Sequence, residues 1–299
     1  MTRLQADLLL LLTAALWGFA FVMQKSAMTS VAPLTFIAAR AAVSMVVLAP
    51  LAMWEARQTM RRLPAKFYAL TAVAALVFTC GSALQQTGLV TATVTSASFL
   101  TALYAVCTPF AVWIIFRAPP AAIVWPAAAL SLVGVWLLGG ATVGALSVGD
   151  SLVVLSAPLW AVHIILTGLA AQAGRPFLFT AVQFAAVATL AAVAAVSFET
   201  PSLALLADAG WEIAYVGLIS TALTFTLFVI AMRHAPPAEA AIILSTENLF
   251  ASLAGALVLG ERLGLINWLG AIVIVAAVLL VQTSAYRQQP SSGGPAVEP

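Results

Sequence analysis

Ten apolar stretches of membrane-spanning length follow one another along this chain. They lie at about 7–26, 33–53, 67–87, 93–116, 121–140, 150–172, 177–197, 211–232, 238–259 and 264–284. Each is bounded by charge, proline or glycine, and a bilayer-spanning helix needs roughly 20 apolar residues. No other feature limits the possible folds as strongly. Composition closes the argument: 63% of the 299 side chains are hydrophobic and only 7% are charged. Water-soluble domains carry about a quarter charged residues, so this chain lacks the charge to cover a soluble surface. The expected class is an all-α polytopic membrane protein with ten transmembrane helices.

Several functions fall away on the same grounds. A net charge of +2, spread along the chain, leaves no footprint for nucleic acid. Cys80 and Cys107 sit inside apolar runs, where they cannot frame a secreted scaffold. No GxxxxGK[ST] phosphate loop and no HExxH zinc motif occurs. The sequence therefore calls for no cofactor, no metal ligands and no catalytic constellation. The first apolar run begins just after Arg3 and has the look of a signal peptide. Spans of the same kind follow it throughout, so it reads as an uncleaved first helix.

Positive charge orients the spans. Arg3, Arg57, Arg61, Arg62, Lys66, Arg117, Arg175, Arg233 and Arg287 fall on one side of the membrane. The other side receives Lys25 and Arg262, with the acids Glu199, Asp208 and Glu212. Both termini are expected to be cytoplasmic, and a bacterial inner membrane is the expected location. The polar, Gly/Pro-rich tail at 286–299 is expected to be disordered.

The chain also repeats itself at an offset of 143 residues. Asp7 matches Asp150, Leu16-Trp17 matches Leu159-Trp160, Pro33 matches Pro176, Phe36 matches Phe179, and Trp125 matches Trp268. Two tryptophan matches carry weight in a chain with only eight tryptophans. Five spans in each half, at 5–141 and 148–285, send the second half into the membrane from the opposite face. Inverted repeats of this kind underlie alternating access in secondary transporters, with substrate near the midplane between the halves.

Particular motifs then carry a family resemblance. Leu16-Trp17-Gly18-Phe19-Ala20-Phe21 through Lys25 resembles the opening motif of the EamA repeat of the drug/metabolite transporter superfamily. The run from Ala235-Pro236-Pro237 through Glu247-Asn248-Leu249-Phe250-Ala251 to Gly260-Glu261-Arg262-Leu263 and Trp268-Leu269-Gly270 is similar to its closing motif. Ser98-Phe99-Leu100-Thr101, Leu103-Tyr104 and Pro109 resemble its fourth helix. The resemblance covers about 5–285. It implies ten helices in two inverted five-helix repeats, a central cavity, and export of small metabolites. Aromatic amino-acid exporters of the YddG type are one candidate relative. Two positions depart from the pattern: Asn248 stands where proline is common, and Ala118 occupies the first-half counterpart of Glu261.

Depth selects the candidate site. Trp54, Trp113, Trp125, Trp136, Trp211 and Trp268 lie near span ends, where aromatic belts meet lipid headgroups. Trp17 and Trp160 lie ten residues beyond the aspartates that open their spans, or ~15 Å deep at the helical rise. They read either as packing between helices or as paired rings lining a cavity. His163 shares a helix face with Trp160 and is a substrate contact, a proton carrier or a satisfied structural imidazole. Arg40 and Glu247 are ionisable groups about 10 and 14 Å into their spans. Such groups face a wet cavity or a partner. Arg40 reads as a structural or coupling residue, and Glu247 as a cavity or coupling one. Gln85, Phe99 and Tyr104 complete the expected substrate lining. Hydroxyls from Thr91 to Thr101 read as interhelical glue, Asn248 as a packing residue, and Pro109 as the site of a kink. Glu261-Arg262 reads as an exposed cap.

The expected function is export of small amphipathic metabolites, above all aromatic or other apolar amino acids, by alternating access. The expected partners are that substrate and the lipid bilayer, in a monomer or homodimer. A channel is one alternative. An intramembrane enzyme built on Ser82 and His163 is the other.

Overall fold

Helices account for nearly all of the computed structural model, which describes residues 1–58, 63–138, 146–258 and 262–287. The spans are α1 (Arg3–Ala27), α2 (Pro33–Gln58), α3 (Ala65–Thr91), α4 (Val94–Phe116), α5 (Val124–Leu138), α6 (Val148–Ala171), α7 (Pro176–Phe198), α8 (Gly210–Met232), α9 (Pro237–Val258) and α10 (Leu265–Arg287). Among the described residues nine helices have the length and apolarity to cross a bilayer, and α5 is shorter. One further turn of helix, Leu203–Asp208, precedes α8. The tail from 288 on, Arg61, Arg62, Gly260 and Glu261 lie outside the described residues.

Local chemistry sets the helix ends. Thr2 opens α1 with a capping box to Gln5, and Ser147 opens α6 with one to Asp150. Pro33 and Pro176, which are repeat counterparts, each stand in the first turn of their helix, where a missing N–H costs nothing. The neighbouring backbone N–H groups need acceptors, and each helix takes them from the other. Glu199, just past α7, accepts from the Leu34 and Thr35 N–H groups of α2 at 2.8 Å each. Glu55, near the end of α2, accepts from the Leu178 N–H of α7 at 2.8 Å. A carboxylate at a helix N-terminus also meets the positive end of the helix dipole. The α2–α7 pair therefore carries the same lock at both ends, as an approximate two-fold axis between antiparallel repeats requires.

Glycines set three further contacts. A Cβ on Gly18 of α1 would lie 2.5 Å from the Glu247 carbonyl, so α1 and α9 touch backbone to backbone. Gly270 of α10 would meet the Leu138 nitrogen at 2.3 Å, which joins α5 to α10. Gly88 of α3 would meet the Gly149 carbonyl at 2.6 Å, which joins α3 to α6. Small residues permit such approach where lipid supplies no hydrophobic drive between helices.

Two spans are broken. In α4 the helix stops at Thr101 and resumes at Tyr104, and in α9 it stops at Leu244 and resumes at Glu247. The breaks, Ala102–Leu103 and Ser245–Thr246, are repeat counterparts. Side-chain donors add to the backbone bonds around each break. Thr101 Oγ1 donates to the Ala97 carbonyl, Ser245 Oγ to Ile242, Thr246 Oγ1 to Ile243, and Asn248 Nδ2 to Ser245. Asn248 is buried and also bonds back to the break. Pro109 lies inside the helical segment Tyr104–Phe116, and the interruption of α4 lies seven residues upstream of it. A third irregularity is the π-helix at Val216–Leu223 within α8, which loosens the carbonyl ladder around Ser220.

Candidate functional site

The broken helices and the π-helix converge on a cavity between the two halves, with a volume of about 70 Å³. Its wall is built from α1, α2, α3, α4, α6, α8 and α9, with α5 and α10 left at the periphery. Trp17, Gln85, Tyr104, Trp160, His163, Arg40 and Glu247 all lie on this wall.

Phe99 does not. It packs instead against two apolar clusters, beside Leu100 on one side and Val135 on the other. Phe99 and Tyr104 stand on opposite sides of the break in α4, so they need not share a face. Pro109 is buried in α4 but is not among the wall residues.

Reading the wall by repeat counterparts shows how one scaffold makes two chemistries. Position 143 beyond Ser82 is Phe225, beyond Gln85 is Phe228, beyond Thr101 is Leu244, and beyond Tyr104 is Glu247. The first half supplies Gln24, Arg40, Gln85 and Thr101, and the second supplies Trp160, Phe225, Phe228 and Leu244. The first half also brings Trp17, Phe21, Phe78 and Tyr104, and the second His163, Ser220 and Glu247, so each half mixes rings with polar groups. The rings are continuous across the seam: Trp17 lies 4.7 Å from Phe225, and Phe78 lies 5.3 Å from Trp160 and 5.2 Å from Phe225, centroid to centroid. Edge-to-face contacts at these distances add to the stability gained by burial.

The two tryptophans differ in one respect. Trp17 Nε1 donates to the Ser220 carbonyl at 3.0 Å, an acceptor that the π-helix presents. Trp160 Nε1 is buried and has no acceptor. One ring is held in place and the other keeps an N–H in reserve.

The ionisable groups are also set apart. Arg40 donates to Gln24 Oε1 at 3.2 Å and to Ser82 Oγ at 3.1 Å, and its guanidinium lies 5.6 Å from the Phe36 ring and 5.9 Å from the Phe78 ring. Glu247 lies near the Tyr104 hydroxyl, but neither the Tyr104 oxygen nor Glu247 Oε1 reaches good hydrogen-bond geometry. Arg3 forms ion pairs with Asp7 and Glu239 at 2.8 Å each. Arg40 and Glu247 share the cavity without pairing. His163 Nε2 stands 3.3 Å from Gln183 Oε1, and the imidazole is ringed by Phe78, Trp160 and Phe225. Gln85 Nε2 donates to Thr101 Oγ1 at 2.8 Å. Ser82 and His163 are thus each engaged elsewhere, and no Ser–His dyad forms between them.

No group of three His, Cys, Asp or Glu among the described residues is placed to hold a metal ion. Sequence reasoning missed Gln24, Phe78, Phe225, Phe228 and Gln183. Gln183 had a detectable signal, since it is the repeat counterpart of Arg40. The phenylalanines had none in so apolar a chain.

The profile of the EamA-like transporter family matches this sequence twice, over residues 4–140 and 147–283. This chain belongs to the EamA-like transporter family. An uncharacterized transporter of Archaeoglobus fulgidus is 28% identical over 288 residues, spanning 93% of this chain and 86% of the relative. The uncharacterized transporter YwfM of Bacillus subtilis is 26% identical over 300 residues and 95% of each chain. A protein crystal structure matches 97% of this chain and all of its own at a TM-score of 0.77 and 16% identity, a likeness of fold.

Proposed function

We propose that this transporter exports small amphipathic metabolites, first of all amino acids with aromatic or other apolar side chains, by alternating access around the central cavity. The observation that carries the reading is the separation of Arg40 from Glu247 in a cavity walled by rings. A buried cation and a buried carboxyl that do not pair with each other leave room for a cargo with one charge of each sign. In this arrangement a zwitterion sets its carboxylate toward Arg40 and the free Trp160 N–H. Its ammonium goes toward Glu247, and its side chain toward Phe225 and Phe228. The proposed orientation places both termini in the cytoplasm of a cell whose inner membrane holds the protein, which the cluster of Arg3, Arg57, Arg117, Arg175 and Arg233 at one end supports. The proposed activity is transport alone, without covalent chemistry.

Efflux from proteoliposomes loaded with a labelled amino-acid mixture tests the reading, comparing wild type with Trp160→Ala. Saturable loss of particular amino acids, with counterflow and a slower mutant, is expected. Retention of every amino acid would remove this substrate class. Flux that neither saturates nor shows counterflow would indicate a channel.

A further inference from the structure

A second recess lies apart from the central cavity, at the end of the bundle that carries Arg3. It opens where α4, α6 and the loop between α8 and α9 meet, and has a volume of about 370 Å³. Its floor is apolar: Ile165 and Met232 are buried at 1% and 2% exposure. Phe116 and Leu169 line it and are 45% and 37% exposed, so they face outward from the bundle. Gly168 keeps the floor low, since a Cβ there would press on Met232 Cε at 3.1 Å and Pro237 Cγ at 3.3 Å.

The lining turns basic at Arg233 and His234, which follow the last residue of α8. Arg233 is not part of the ion pairs that Arg3 makes with Asp7 and Glu239. Slight burial, then the positive charges of the N-terminal amino group and of Arg233, hold the His234 imidazole below its ordinary pKa. The charges acting at this rim are cationic, and the recess beneath it is greasy.

We propose that this recess binds an anionic phospholipid, with an acyl chain against Phe116 and Leu169 and the headgroup phosphate at Arg233 and His234. The pairing of an apolar trough with a cationic rim at a span end selects a lipid over a soluble anion, which would use the rim alone. Charged headgroups are drawn to basic residues at membrane surfaces. The site adjoins Pro236 and Pro237, which open α9 two residues before Glu239, the acid held by Arg3. A bound lipid thereby braces the α8–α9 loop next to the contact that fastens α1 to α9.

The test uses the purified full-length protein and native mass spectrometry. The probes are phosphatidylglycerol and phosphatidylcholine with identical acyl chains, and inorganic phosphate as competitor. Wild type is expected to retain phosphatidylglycerol in preference. Arg233→Gln is expected to weaken that retention about fivefold, the contribution of one arginine near a membrane surface. Gly168→Leu fills the trough and is expected to weaken both lipids. Inorganic phosphate is expected to displace neither. Arg233 is exposed, so its variant should elute as wild type does and decides the question even if Gly168→Leu fails to fold. Addition of phosphatidylglycerol should also raise the His234 pKa followed by NMR. Equal retention of the two lipids, unchanged binding by Arg233→Gln, displacement by phosphate, or an unmoved His234 would each overturn the proposal.

Discussion

At the scale of single residues, the two tryptophans separate structural from cargo roles. Trp17→Phe keeps a ring and removes the bond to Ser220. It is expected to cost about 1 kcal/mol of stability, the net worth of an ordinary hydrogen bond, and thermal unfolding in detergent measures it. Trp160→Phe removes an N–H that has no partner in the protein. Its unfolding should be little changed while the KM for efflux rises, and the opposite pattern would reverse the two roles. Glu247→Gln keeps the shape of the side chain and removes its charge. For a zwitterionic cargo the loss of a charge-assisted contact is expected to raise KM by about tenfold. If Glu247→Gln also left pH-gradient-dependent flux unchanged, proton coupling through this carboxyl would be discarded.

At the scale of elements, close helix crossings carry the fold, and they can be tested one glycine at a time. Gly18→Ala drives a Cβ into the backbone of α9, and Gly270→Ala drives one into the backbone of α5. Each is expected to destabilise by about 1–3 kcal/mol, the cost of overpacking. Gly210→Ala has nothing within 4 Å and begins α8, so it should be neutral or slightly stabilising. Equal effects of all three on thermal unfolding would refute the account. The span positions were legible because length and apolarity are local properties. The breaks in α4 and α9 were not, since Ala102–Leu103 carries no glycine or proline signal. Only the coincidence of the two breaks at repeat-related positions marks them as a shared design, and that coincidence needs both halves in view.

At the scale of the whole molecule, the two ends of the repeat pair are fastened by different chemistry. At one end Arg3 bridges Asp7 of α1 and Glu239 of α9 at 2.8 Å each. The corresponding contact at the other end joins Asp150 of α6 to Ser96 of α4 at 2.5 Å, with no cation between them. Glu239 and Ser96 are repeat counterparts, as are Asp7 and Asp150. Arg3→Gln leaves two neighbouring carboxylates without their cation, so the Arg3 end is expected to open more often. Ser96→Ala should open the opposite end. Alkylation rates of single cysteines placed at each end measure the shift, and a change of both ends together would contradict alternating opening.

The sequence by itself determined the spans, the internal repeat, the expected orientation and those cavity residues that stand out by depth, such as Trp17, Trp160, His163, Arg40 and Glu247. Each follows from composition and spacing along one helix, which the bilayer constrains locally. Tertiary structure alone decided that Phe99 turns away, that Arg40 rests on Gln24 and Ser82 instead of Glu247, and that Phe225 and Phe228 face the cavity. Those outcomes depend on contacts between helices far apart in the chain: Trp17 and Ser220, which meet at 3.0 Å, are 203 residues apart. In a chain where most residues are apolar, the pattern along one helix does not say which face meets lipid and which meets another helix. Close packing across the two repeats settles it.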